Sequence, residues 1–246
     1  NNTVDPAPSI SGNIAVPANG SYGAGQTLSF TVTFDENVTV VGTDSTLGLT
    51  VGSAARSAAY ASKTANSITY ACTVQAGDTG ANGIAVGGSS LGATTIRDGA
   101  GNDANLALGG HVPSTAGVLV DTNAPEVASV GVPANATYVA GQALSFTVNF
   151  DENVTVVGTD STLALTIGAT ARTAAYASKT ANSITYTYTV QAGEADADGV
   201  TVGALSKGSS TIRDAAGNDA VLTLNSVGAT GGVFVDATVP TVSGNI

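Results

Sequence analysis

Hydrophobic and polar residues alternate with a period of two along several short segments of the chain. In the clearest segment, serine and threonine residues separate Leu28, Phe30, Val32 and Phe34. Because successive side chains of a strand point to opposite faces, this alternation predicts an antiparallel strand with one buried face. No segment places apolar residues at helical spacing. The chain is therefore predicted to be all-β.

Further short strands are predicted from the same pattern, and Gly, Asn and Asp residues mark the turns between them. One of them places Ile68, Tyr70, Cys72 and Val74 inward. Six to eight such strands within about 116 residues favour a two-sheet β-sandwich of the immunoglobulin type. The other predicted strands lie at residues 38–41, 47–51, 56–61, 84–86 and 117–120.

The sequence repeats itself along its whole length. The segment FDENVTVVGTDSTL begins at Phe34 and returns unchanged at Phe150, an offset of 116 residues, and other segments return at the same offset. A period of this length fits a complete domain rather than a solenoid unit. The repeat predicts two tandem immunoglobulin-like domains at residues 1–120 and 121–246, with the start of a third from about residue 236. We therefore expect the chain to be a segment of a longer array.

Composition excludes several classes of function. The chain has 18 acidic and 7 basic residues and a formal net charge of −11, whereas a nucleic-acid-binding protein needs clustered Lys and Arg. One Cys, one His and no Trp argue against a disulfide framework, a Cys/His metal site and a Trp-lined sugar site. No stretch approaches ~18 consecutive apolar residues, so membrane insertion is not expected. No catalytic constellation or organic-cofactor motif is present, and we expect no enzymatic activity.

A set of short phrases follows the same order in both copies. They are VDTNAP at residues 120–125 and VDATVP at residues 235–240, SFTVTFDENVTV, the QAGD and QAGE turns, and IRDAAGND. In this order they resemble the immunoglobulin-like repeats of giant bacterial surface adhesins, the extender arrays of repeats-in-toxin and biofilm-associated proteins. The resemblance covers the whole chain. It implies an extracellular location and calcium at the domain joints of an array that holds a distal ligand-binding region away from the cell.

Acidic residues fall where such a joint would lie. In an immunoglobulin sandwich the first strand starts at the end that carries the loop between the second and third strands and the loop between the sixth and seventh strands. Here these loops are the FDEN and IRDAAGND segments. A calcium ion that takes six to eight oxygen ligands would neutralise acids gathered there. The alternative is that these are solvated turn residues. The predicted ligands are Asp121, Asp151, Glu152, Asp214 and Asp219, with Asn218, at one joint, and Asp5, Asp35, Glu36, Asp98 and Asp103 at the other.

A second acidic loop is predicted at the opposite end of the second copy. Glu194, Asp196 and Asp198 alternate before Gly199, as in the first half of an EF-hand loop, where alternate side chains point toward calcium. Leu205 stands at the twelfth position, where an EF-hand has Glu, and copy one has Gly in place of the middle acid. A further calcium site and an acidic exposed turn are both compatible with this pattern.

Together these features favour a structural spacer whose partners are neighbouring repeats of the same chain and calcium ions. One alternative is a carbohydrate- or protein-binding module, which would need exposed aromatic residues near its loops. Another is a self-assembling surface-layer or filament subunit, in which calcium or exposed sheet edges join chains.

Overall fold

The computed structural model describes residues 5–241, and within them the chain forms strands and no helix. These residues divide into two compact units between Asn123 and Ala124, close to the boundary that the repeat predicts. The predicted start of a third copy runs into residues 242–246, which lie outside the described residues. No helix among the described residues is long and apolar enough to cross a membrane.

Unit 1 contains one large sheet and two small ones. The large sheet is antiparallel and has the order β2-β6-β5-β4-β8, the second has the order β1-β10-β7, and β3 pairs with β9. The strands are β1 (Gly20–Tyr22), β2 (Thr27–Thr33), β3 (Thr39–Val41), β4 (Thr46–Val51), β5 (Ala54–Lys63), β6 (Ser67–Thr73), β7 (Thr79–Gly80), β8 (Ile84–Ser90), β9 (Thr95–Arg97) and β10 (Val118–Asp121).

Unit 2 repeats this arrangement with one additional strand. Its large sheet has the order β11-β13-β17-β16-β15-β19, its second sheet β12-β21-β18, and β14 pairs with β20. The strands are β11 (Val127–Gly131), β12 (Ala136–Tyr138), β13 (Ala143–Phe150), β14 (Thr155–Val157), β15 (Thr162–Ile167), β16 (Thr170–Lys179), β17 (Ser183–Thr189), β18 (Ala195–Asp196), β19 (Thr201–Ser206), β20 (Thr211–Arg213) and β21 (Val233–Asp236).

The predicted alternation corresponds to the buried face of the large sheets. In unit 1, Phe30 lies opposite Tyr70 and Val32 lies opposite Ile68 across the β2–β6 pair, and all four are buried. Each core joins residues of the large sheet to residues of the smaller ones, such as Phe30 on β2 and Val120 on β10. The fold is therefore all-β, with a core between sheets, as in the β-sandwich class.

The first edge strand differs between the units. In unit 2, β11 pairs with β13 in a ladder with one register shift, between Val127 and Ser129, whereas the matching described segment of unit 1 makes isolated bridges from Ile10 to Phe34 and from Ala15 to Thr31. The segment that precedes Ile10 is one residue shorter than its counterpart in unit 2, and an extra residue between the two bridges restores the offset. From Ile10 to Ala15 the segment advances five residues while its partner advances three, against four and three in unit 2, and this larger mismatch interrupts the ladder.

Candidate metal centre

Three carboxylates meet in unit 1. Asp5 precedes the first bridge, Glu36 lies in the turn after β2, and Asp98 follows β9. One oxygen from each lies within 4.8 Å of the others. Asp5 is exposed, Glu36 is half-buried and Asp98 is buried. The fold thus brings together one acid from each of the three segments that the sequence predicts to meet, and we call these residues the acidic trio.

Asn102 connects two members of the acidic trio, Asp5 and Asp98. Its backbone N–H donates to Oδ1 of Asp98 at 2.8 Å, and its side-chain Nδ2 donates to Oδ2 at 2.7 Å. The same Nδ2 donates to the backbone oxygen of Asp5 at 3.1 Å. Gly101, with φ of +96°, allows the tight turn that carries Asn102 back to Asp98. Asn102 therefore connects the loop after β9 to the first segment of the unit.

The acidic trio concentrates negative charge. Partial loss of solvent raises the pKa of Glu36, and the nearby charges of Asp5, Asp98 and Asp35 raise it further. Burial also opposes ionisation of Asp98, but the hydrogen bonds from Asn102 and from the backbone of the two residues before it together outweigh this effect and lower the pKa of Asp98. The charges of Asp5 and Asp98 thus repel that of Glu36. A hard cation suits this all-oxygen set, because it would remove the repulsion and prefers oxygen ligands.

The other two predicted ligands of unit 1 lie outside the acidic trio. Asp35 accepts hydrogen bonds from the backbone N–H and the hydroxyl of Ser9 at 2.8 and 2.6 Å, and these bonds lower its pKa. Asp103 accepts from Nε of Arg97 at 2.6 Å. Each of these carboxylates is therefore paired with a donor of the protein.

Unit 2 shows the same local pattern around its predicted ligands. Asp214 accepts from the backbone and the side chain of Asn218 at 2.8 and 2.7 Å. Asp151 accepts from the backbone N–H of Glu126 at 2.8 Å. Asp219 accepts from Nε of Arg213 at 2.7 Å, an ion pair that lowers the pKa of Asp219.

The remaining ligands of the predicted joint occupy positions that match the acidic trio by the repeat. Glu152 stands where unit 1 has Glu36, in the turn after β13. Asp121, the counterpart of Asp5, ends β10, and its Oδ1 accepts from the backbone N–H of Asn123 at 3.0 Å.

The second acidic loop uses its first acid in an ion pair. Glu194 is buried, pairs with Arg172 on β16, and accepts from the Tyr188 hydroxyl at 2.6 Å and the Gln191 N–H at 2.8 Å. Burial opposes ionisation of Glu194, but the donors Tyr188 and Arg172 outweigh it and lower the pKa. In unit 1, Asp78 makes the corresponding ion pair with Arg56.

The middle acid of that loop ties two turns together. Asp196 is buried and accepts from the backbone N–H of Gly168 at 2.6 Å and of Gly199 at 2.7 Å. Asp198 is exposed. Within the described part of the chain, no group of three carboxylates that could hold a metal includes Glu194, Asp196 or Asp198. Glu194 and Asp196 thus accept from protein donors, and the structure does not gather the three acids at one point.

The acidic pattern alone does not identify the arginines that form ion pairs with the second acidic loop and with its counterpart in unit 1. Arg172 and Arg56 each lie 22 residues from the acid that they bind. The available signal is one charged residue at the same place in both copies of an alanine-rich strand.

Neither a protein-family model nor a curated protein matches the chain. The likeness to adhesin repeats therefore rests on the phrases in the sequence.

Proposed function

We propose that the chain is a structural spacer from the extender region of a bacterial surface adhesin, with tandem immunoglobulin-like domains stiffened by calcium outside the cell. The observation that carries this proposal is the acidic trio of Asp5, Glu36 and Asp98, which lies at the start of a unit that occurs twice. A repeated domain that carries a set of oxygen ligands at its start is suited to end-to-end linkage with neighbouring domains through a bound cation.

The repeat predicts a matching set of three acids at the proposed joint between the two units. Asp121, Glu152 and Asp214 stand at the offset of 116 from the acidic trio. Asp121 belongs to the last strand of unit 1, whereas Glu152 and Asp214 belong to unit 2. Calcium held by these three residues would tie the end of one unit to the loops of the next and reduce bending between them.

The chemistry of the acidic trio matches calcium. Three carboxylates and the Asp5 carbonyl supply oxygen, and a half-turn of the Asn102 amide would present its Oδ1 in place of Nδ2. Extracellular modules bind calcium with dissociation constants of roughly 10⁻⁴–10⁻³ M. At ten times the dissociation constant, each site would add about 1.4 kcal/mol to the free energy of unfolding.

Thermal melting with calcium or with a chelator tests the proposal. We expect calcium to raise the melting temperature of the wild-type chain, and Asp5→Ala and Asp121→Ala each to remove part of the increase. Asp198→Ala is the matched control, because it removes the same charge from an exposed acid that belongs neither to the acidic trio nor to its counterpart of Asp121, Glu152 and Asp214. An increase that is absent, or that survives in both Asp5→Ala and Asp121→Ala, would contradict the calcium sites.

Small-angle scattering tests the spacer role. We expect calcium to increase the mean end-to-end distance of the wild-type chain or to narrow the distribution of that distance. Neither change is expected in Asp121→Ala. Sedimentation in the same buffers provides the comparison with the self-assembling alternative. A chain that stays monomeric with calcium supports the spacer, whereas calcium-dependent polymers would favour the filament subunit.

A further inference from the structure

We propose that the Asn82–Gly83 step of unit 1 is a site of spontaneous deamidation. This step follows β7, in the loop that corresponds to the second acidic loop of unit 2. The product carboxylate would stand where unit 2 already has Asp198. The inference is independent of calcium binding and of the spacer role.

The reaction needs only the chain and water. The backbone nitrogen of Gly83 attacks Cγ of Asn82 and forms a C–N bond. The bond from Cγ to the amide nitrogen breaks, and the amide nitrogen leaves as ammonia with the proton that the Gly83 nitrogen loses to solvent. Water then opens the cyclic imide at one of its two carbonyls and gives aspartate or isoaspartate. Glycine favours the attack because it carries no Cβ. The reaction is fast only where the asparagine side chain can move and the glycine N–H is not held.

Asn82 meets both requirements. Its side chain is exposed and makes no hydrogen bond with any described residue. The Gly83 nitrogen donates only a long bond, 3.3 Å, to the carbonyl of Gly80. Bonds of this length lie beyond the usual range for N–H···O contacts. The attacking nitrogen is therefore weakly held by hydrogen bonding, while the Cα of Gly83 packs on the backbone of Thr115 just as the matching glycine of unit 2 packs on Thr230.

The chain contains a second Ala-Asn-Gly tripeptide, at residues 18–20, that is restrained. The Gly20 nitrogen donates to Gly117 at 2.9 Å beside the parallel pair of β1 and β10. The Asn19 side chain also packs on Gly117, where an added Cβ would lie 2.4 Å from its Cγ. Asn19 therefore cannot swing toward Gly20 without loss of this packing.

Unit 2 has a hydrogen bond to the glycine nitrogen that unit 1 lacks. At the matching step the Gly199 nitrogen donates to the Asp196 carboxylate at 2.7 Å. Unit 1 has Gly80 in place of Asp196 and so has no side chain to hold the Gly83 nitrogen. Deamidation of Asn82 would add one negative charge, and the isoaspartate product would also lengthen the backbone before β8. Because water is the only reactant, the product would accumulate with the age of the molecule.

Peptide mapping by mass spectrometry, with separation of aspartate from isoaspartate, tests the proposal on the whole chain kept in neutral buffer. We expect Asn82 to convert several-fold faster than Asn19 in the folded chain. In denaturant the two rates should converge, because the tripeptides are identical. Equal rates in the folded chain would overturn the proposal.

Two variants test the restraint itself. Asp198→Asn places a third Ala-Asn-Gly tripeptide in unit 2, where Asp196 holds the Gly199 nitrogen, and we expect its amide to persist while Asn82 converts. Gly80→Asp supplies the missing carboxylate and should slow conversion at Asn82; the nearest atom to its new Cβ is Cγ1 of Val51 at 3.3 Å. Conversion of the asparagine introduced at position 198 as fast as Asn82 would contradict the proposed restraint.

Discussion

A single carboxylate, that of Asp196, joins two turns of unit 2 that are distant in sequence. It accepts the N–H of Gly168, in the turn between β15 and β16, and the N–H of Gly199. Hydrogen bonds to an ionised acceptor are stronger than those between neutral groups. Unit 1 has Gly80 at this position, so the two copies provide a natural comparison.

Asp196→Ala should lower the free energy of unfolding of unit 2 by about 1.5–3 kcal/mol, the usual contribution of a hydrogen bond to a charged group. Hydrogen exchange should show faster opening at Gly168 and Gly199. Asp198→Ala is the control, because Asp198 is exposed in the same loop. Equal losses in the two variants would mean that loop charge, rather than the bonds of Asp196, stabilises unit 2.

The sequence pattern identifies Glu194 and Asp196 as unusual residues but does not reveal what they bind. Alternating acids before a glycine are compatible with calcium or with protein donors. The donors that decide between these uses are distant in sequence, since Gly168 lies 28 residues before Asp196. By contrast, the convergence of Asp5, Glu36 and Asp98 was predictable, because the ends of strands in a sandwich determine which loops meet.

An ion pair fastens the large sheet to the second sheet in each unit. Arg172 on β16 binds Glu194, which precedes β18, and Arg56 on β5 binds Asp78, which precedes β7. The carboxylates are almost fully buried, whereas the arginines are about one-third exposed, at 31% and 32%. An acid in this setting needs its partner, because an unpaired buried charge is strongly destabilising.

These ion pairs predict a loss of stability in acid. The pKa of Asp78 is lowered by Arg56, and that of Glu194 is lowered by Tyr188 and Arg172 against the effect of burial. A carboxyl whose pKa is lower in the folded state stabilises the fold fully above its unfolded pKa, about 4, and loses this contribution as pH falls through the folded value. In measurements from pH 7 to pH 2, the melting temperature should therefore begin to decrease once the pH is lower than about 4.

Glu194→Gln should lower the free energy of unfolding of unit 2 at neutral pH and should make its further decrease at low pH smaller. Asp78→Asn should have the same two effects in unit 1. Asp44→Asn, at an exposed acid outside the ion pairs, provides the control. A Glu194→Gln chain that retains the wild-type slope in acid would show that other carboxyls cause the loss.

Regular strands were more predictable than short or irregular ones. The alternation at Leu28, Phe30 and Val32 specifies a buried face without knowledge of the partner strand. The parallel pair of β1 and β10 has no such signal, since β1 is three residues long and its partner lies almost 100 residues away. The same holds for the bridges at Ile10 and Ala15, where a one-residue shift leaves no regular strand.

At the scale of the whole molecule, residues 5–241 form two hydrophobic cores of similar construction. Phe30 on β2 and Phe146 on β13 occupy the same place in their units, and both are fully buried. The buried cluster around each ring contains residues of its own unit only. Each domain therefore has the means to fold by itself.

Phe30→Ala and Phe146→Ala form a matched pair that tests this independence in the full chain. Loss of a buried phenyl ring creates a cavity and costs about 3–5 kcal/mol. We expect Phe30→Ala to lower the unfolding free energy of residues 5–123 only, and Phe146→Ala that of residues 124–241 only. Hydrogen exchange read by mass spectrometry resolves the two units in one sample and so avoids overlap of their melting transitions. If Phe146→Ala accelerated exchange throughout unit 1 as strongly as throughout unit 2, the units would unfold as one cooperative body, and serial connection of independent domains would not describe this chain.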